Sequence, residues 1–207
     1  LMAPGESISA DEISRRFEKS IQSKVINLTS GEENGSIDAA KFDQRRAAKD
    51  PDTSSAAPSN PAKVMRVPNN ALIYEVVRED ELEALILPIE GMGLWSFMYG
   101  FLALAPDANT IRGITFYEQG ETAGLGGEVD NPRWKAMWPG KEVYRDGEVA
   151  VGLIKGSVDP SGANAPWQVD GLAGATLTSR GVTNLLHFWM GENGFEPFLN
   201  NLRAGEA

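Results

Sequence analysis

Residues 71–119 read ALIYEVVREDELEALILPIEGMGLWSFMYGFLALAPDANTIRGITFYEQ, and this stretch decides the fold. Within it ALIYEVV, ALILPIEG, GLWSFMYGFLAL and IRGITFYEQ are rich in β-branched and aromatic residues. Each run is bounded by Gly, Pro, Asp or Asn, the pattern of successive short strands. EVAVGLIKG at 148–156 has the same character and predicts a further strand. Between the strand runs, NPRWKAMW at 131–138 predicts a helical turn. Downstream, Val182, Leu185, Leu186 and Trp189 recur at helical spacing within RGVTNLLHFWMG, and FEPFLNNL at 195–202 predicts a last short helix. Strands with helices at the ends describe an α+β domain, with a twisted, mainly antiparallel sheet flanked by helices.

Toward the N-terminus the pattern changes. TSGEENGS, KDPDTSSAAPSNPAKV and RVPNN fill most of residues 29–68 and are loop-like, with FDQRRAAKD as a short helix among them. Ser9 with Glu12 three residues on forms a capping box. Ile13, Phe17 and Ile21 then give one apolar face, which predicts a helix from about Ala10 to Ser23. KVINL at 24–28 predicts a first strand. The expected division is therefore 1–28 as N-terminal helix and first strand, 29–68 as a loop-rich insertion, and 69–207 as the main domain.

Composition narrows the chemistry. The chain has 207 residues and no cysteine, which excludes disulfides, iron–sulfur clusters, thiolate zinc sites and cysteine nucleophiles. One histidine, His187, argues against an imidazole metal site, and neither a catalytic residue nor a metal site is expected. A net charge of −10 speaks against nucleic acid and against anionic lipid surfaces. The longest apolar run, Gly91 to Pro106, is shorter than the roughly 20 residues a membrane span needs and reads as core.

Three stretches are rich enough in glycine to approach a ligand. VDGLAGATLTSRGV at 169–182 places glycines and hydroxyls at a strand-to-helix junction. Thr178 or Ser179 is expected to cap the helix, with the Thr176 hydroxyl on the same side as that of Thr178. A helix start suits an anion such as phosphate. From spacing alone, an ordinary capped turn is the plainer reading of these residues. EGMGLWSFMYGF interleaves glycines with Trp95, Phe97, Met98 and Tyr99, as a pocket for a planar ligand or a bulged core strand does. YEQGETAGLGGEV, with Gly120, Gly124, Gly126 and Gly127, is a permissive loop without the dinucleotide spacing. Thr176 has no neighbouring base, since His187 lies about three turns along the helix, so a nucleophile of its own making is not expected.

In this order the three stretches resemble the covalent-flavin subunits of sodium-pumping respiratory complexes, above all the C subunit of the sodium-translocating NADH:quinone oxidoreductase. The family pattern G-x-G-L-W…M-Y-G, E-T-x-G-L-G and D-G-x-S-G-A-T-x-T-S appears here as GMGLWSFMYG, ETAGLGG and DGLAGATLTS. The resemblance implies a domain that binds FMN through a phosphodiester to Thr176, placed there from FAD by a flavin transferase with magnesium. Gly174, Ala175, Leu177 and Thr178 would surround the attachment. Trp95, Thr122, Leu125 and Gly126 would lie near the isoalloxazine ring, with Glu121 behind the loop. The implied role is electron carriage without activity of its own, among the pump's other membrane subunits, including a neighbouring flavin subunit. It also implies a bacterial inner-membrane location, with one N-terminal anchor upstream of this sequence and the domain on the periplasmic side. GLWSFMYG and FWMGENGF favour this family over the related ferredoxin:NAD oxidoreductase pump. A non-redox scaffold is the other alternative. Ala173 stands where the family has Ser or Thr, and Ala123 where it has Pro; neither change removes the acceptor.

Overall fold

The structure is a computed structural model and describes residues 20–205. The chain enters at β1 (Ile21–Asn27) and runs through α1 (Gln44–Lys49), β2 (Ser54–Ala56) and β3 (Arg66–Pro68). Four long strands follow: β4 (Asn70–Arg78), β5 (Glu81–Met92), β6 (Phe97–Leu104) and β7 (Ile111–Glu118). Next come a 3-10 turn at Gly126–Asp130, α2 (Pro132–Lys135), β8 (Tyr144–Arg145), β9 (Glu148–Val149) and β10 (Gly152–Ile154). After β11 (Gln168–Asp170) the chain ends in α3 (Thr176–Met190) and α4 (Glu196–Ala204).

The central sheet has the order β1-β4-β5-β6-β7, with every neighbouring pair antiparallel. Strand alternation decides which face is dry. In β5 Leu85, Leu87 and Ile89 are buried, and in β6 Met98, Leu102 and Leu104. Opposed pairs such as Leu87 with Leu102 and Leu85 with Leu104 put these side chains on one face. Helix α3 covers that face with Val182, Leu185, Leu186 and Trp189, all fully buried. Their helical spacing was the signal in the sequence.

Two glycines let α3 come close to β5. A Cβ on Gly91 would stand 2.6 Å from Leu185 Cβ, and one on Gly181 would stand 2.5 Å from the Met92 carbonyl oxygen. In Gly181→Ala, helix propensity contributes up to about 1 kcal/mol in favour. Overpacking costs about 1–3 kcal/mol, and the obstacle is backbone, which cannot swing aside. The expected result is a net loss of stability in denaturant unfolding, with α3 displaced from β5. A more stable variant would show that the contact relaxes freely.

The described residues differ from the expectations at three places. Within the stretch expected as loop, Ser54–Ala56 and Arg66–Pro68 pair antiparallel as β2 and β3. Ile21, Gln22 and Ser23 belong to β1, because they pair with Val76, Glu75 and Tyr74; of the rest of the expected N-terminal helix only Ser20, which is helical, is among the described residues. EVAVGLIKG is not one strand. The N–H groups of Ala150 and Val151 both donate to the Val143 carbonyl, at 2.8 and 3.2 Å, and this bend separates β9 from β10. Strand β10 then pairs with β11 in parallel, Ile154 opposite Asp170. That pairing delivers the chain to the start of α3.

Candidate functional site

The turn between β11 and α3 is shaped by backbone geometry. Gly171 packs against the Ile154 carbonyl oxygen so closely that a Cβ has no room. Gly174 has φ +70°, a conformation that favours glycine. Ser179 closes the turn: its hydroxyl accepts from the Leu172 N–H at 2.9 Å and donates to the Ala175 carbonyl at 3.0 Å. The turn's hydrogen bonding therefore does not depend on a hydroxyl at Ala173, which is exposed.

The helix begins earlier than the threonine spacing suggests. Thr176 is its first residue, and Ala175 occupies the cap position with no side-chain cap. Neither Thr178 nor Ser179 caps it, because both already lie inside the helix and are buried. Thr176 and Thr178 consequently do not share a side. Thr176 and Leu177 are exposed, whereas Thr178 is 1% exposed. The first N–H groups of a helix have no partners within it, so an uncapped start presents free donors and the positive end of the dipole.

Thr178 points inward to Glu121. Its hydroxyl donates to Glu121 Oε2 at 2.5 Å. The same carboxylate accepts the N–H groups of Leu94 at 3.1 Å, Trp95 at 2.9 Å and Ser96 at 3.2 Å. Glu121 thus ties together the loop between β5 and β6, its own loop after β7, and the first turn of α3. Burial acts to raise its pKa, but the hydrogen bonds from Thr178, Trp95, Leu94 and Ser96 prevail and hold it below the usual carboxylate range. The group is ionised at neutral pH.

Around this anchor the residues singled out in the sequence come together. Gly126 packs on Thr178 and Glu121; a Cβ there would stand 2.5 Å from Thr178 Oγ1. Leu125 reaches the turn, where a Cβ on Gly174 would meet its Cδ2 at 3.0 Å. The Thr122 carbonyl accepts from Leu125 and Gly127 at 3.0 and 2.9 Å and curls the loop. Trp95 (67% exposed), Leu125 (42%) and Leu177 (51%) leave large apolar surface open beside the helix start. Thr176 also borders a cavity of about 580 Å³ whose lining includes Leu172, Ser179, Lys155 and Arg180.

His187 is on the far part of α3, with Nε2 2.9 Å from the Val151 carbonyl oxygen. Among the described residues no group of His, Cys, Asp or Glu could hold a metal ion, and no helix is long and apolar enough to cross a membrane. Lys155, Arg180 and the role of Ser179 were not apparent in the sequence. Glycines flanking an acid, Gly120 before Glu121 and Gly93 and Gly126 against it, were the available sign of the buried carboxylate.

Residues 93–191 match the family model described as FMN-binding domain, a span that opens at the Gly93 loop and closes with α3. The Na(+)-translocating NADH-quinone reductase C subunit of Pseudomonas aeruginosa is 53% identical over 203 residues, covering 97% of this chain and 78% of that protein. The chain belongs to this C-subunit family. The corresponding subunit of Vibrio anguillarum is 45% identical, over 97% of this chain and 77% of that one. Among solved structures, NqrC of Shewanella oneidensis superposes with a TM-score of 0.89 at 38% identity, covering 95% of this chain and 90% of that chain. The same subunit of Parabacteroides distasonis gives 0.69 at 27% identity, over 94% and 85% of the two chains. The sheet and helices described above are thus the NqrC fold, and the family is that of a subunit of an oxidoreductase complex.

Proposed function

We propose that Thr176 carries FMN through a phosphodiester and that the domain serves as a tethered electron carrier in a sodium-pumping NADH:quinone oxidoreductase. The observation that carries this is an exposed threonine hydroxyl at an uncapped helix start, inside a matched FMN-binding domain. The residues fit the group. The helix N-terminus favours a phosphate, and Lys155 and Arg180 line the cavity that Thr176 borders. Trp95, Leu125 and Leu177 offer the apolar surface a planar ring covers.

When bound, FMN supplies the one- and two-electron chemistry. The chain fixes its position and shapes the surrounding field. Thr176 has no base of its own, which accords with attachment by a separate flavin transferase acting on FAD. The other members of a membrane complex, including a second flavin subunit, are the expected partners, and the periplasmic side of a bacterial inner membrane is the expected location.

The deciding experiment is the intact mass of the chain after co-expression with a flavin transferase, followed by peptide mapping. The expected increase equals FMN less one water and maps to the peptide holding Thr176. No increase, with the transferase shown active on another substrate, overturns the reading.

A further inference from the structure

Among the described residues Glu121 is the only charged side chain that is buried, at 8% exposure. No cation pairs with it there. Its charge is met instead by three backbone N–H groups and the Thr178 hydroxyl. Room for it is made by two glycines, since a Cβ on Gly93 or Gly126 would stand 2.6 Å from Oε1 or 2.8 Å from Oε2. A buried charge without a counter-ion is costly, and a turn could be held by a neutral side chain. Here the four donors offset that cost, and what they hold in place is an anion where a neutral group would serve the turn alone. The segments it joins are the ones that bear Trp95, Leu125 and Thr176.

We propose that Glu121 is the positioning residue of this site. Its carboxylate holds the Trp95 loop against the first turn of α3, and its fixed negative charge lowers the reduction potential of a flavin held there. The second part follows from Coulomb's law acting from a buried carboxylate. Reduction adds electron density to the flavin, and a nearby anion opposes it. Glutamine cannot reproduce the arrangement. Its amide keeps one acceptor oxygen and turns an NH₂ group toward donors. The proposal rests on the reading of Thr176 as flavin acceptor.

The test uses the full chain loaded with flavin, with loading of the unaltered protein first verified by mass. Failure there removes the acceptor reading itself, separately from the role of Glu121. Midpoint potentials are then measured spectroelectrochemically for Glu121→Gln and Thr178→Ala, with circular dichroism as a check on folding. Removing the charge shifts the potential to more positive values. Removing one donor leaves the charge less compensated and shifts it to more negative values. A merely structural clamp is loosened by both changes and moves both potentials in the same direction. Opposite signs support the proposal; equal signs or unchanged potentials overturn it. If Glu121→Gln does not take up flavin, Thr178→Ala decides alone, and a potential that is unchanged or more positive overturns the proposal.

Discussion

Replacing Thr176 by alanine is expected to abolish covalent flavin completely and to leave the fold as it is. Thr176 is exposed at the first position of α3. Its side chain supports no other part of the turn, which is closed by Ser179. Alanine is also at least as good a helix former. Surface changes of this kind stay within about 0.5 kcal/mol. Thermal unfolding of the variant should then match that of the parent within about 1–2 °C. Thr178 cannot take over, because it is buried and its hydroxyl is committed to Glu121. Thr176→Ser keeps an exposed hydroxyl and should accept flavin again. Covalent flavin surviving on another residue of Thr176→Ala would remove the assignment.

The second large effect concerns Trp189. The side chain is fully buried, packs edge-to-face on Phe188 at 5.4 Å between ring centroids, and meets Phe195 at 5.7 Å. Its indole N–H donates to the Glu90 carbonyl oxygen at 2.7 Å, joining α3 to β5. Trp189→Ala leaves a large cavity and is expected to cost about 3–5 kcal/mol. The carbonyl of Glu90 loses its partner as well. For a domain of this size that corresponds to a fall in melting temperature of roughly 6–20 °C. Trp189→Phe keeps most of the volume and loses the hydrogen bond, so its loss should be clearly smaller. Equal losses in the two variants would mean that the hydrogen bond, rather than packing, dominates.

How legible the sequence was depended on the range of the interactions. Strands β4 to β7 were readable because each carries its own alternation and turn residues, and each pairs with a sequence neighbour. Helix α3 was readable from Val182, Leu185, Leu186 and Trp189. The break in EVAVGLIKG was not, since it comes from two donors sharing the Val143 carbonyl. The inclusion of Ile21–Ser23 in β1 was not either. Helical spacing and strand pairing compete there, and pairing with Tyr74–Val76 decides. At the site, Trp95, Leu125, Gly126 and Gly174 do gather. Thr178 does not cap, because it already lies inside the helix and its hydroxyl goes to a carboxylate from another loop. A side chain that can cap is visible in a sequence; the partner that draws it away is not.

The Thr178 hydroxyl and the Glu121 carboxylate are 57 positions apart along the chain. Local strand pairs such as β5 with β6 close short loops, which cost little entropy and form early. The clamp closes a much longer loop, and one of its halves, Thr178, follows every strand along the chain. During synthesis, all of these strands are made before that bond can exist. Until then the Trp95 loop and the threonine turn are separate stretches of chain. The site is therefore a late product of folding, and its geometry reports that the sheet and α3 have already come together.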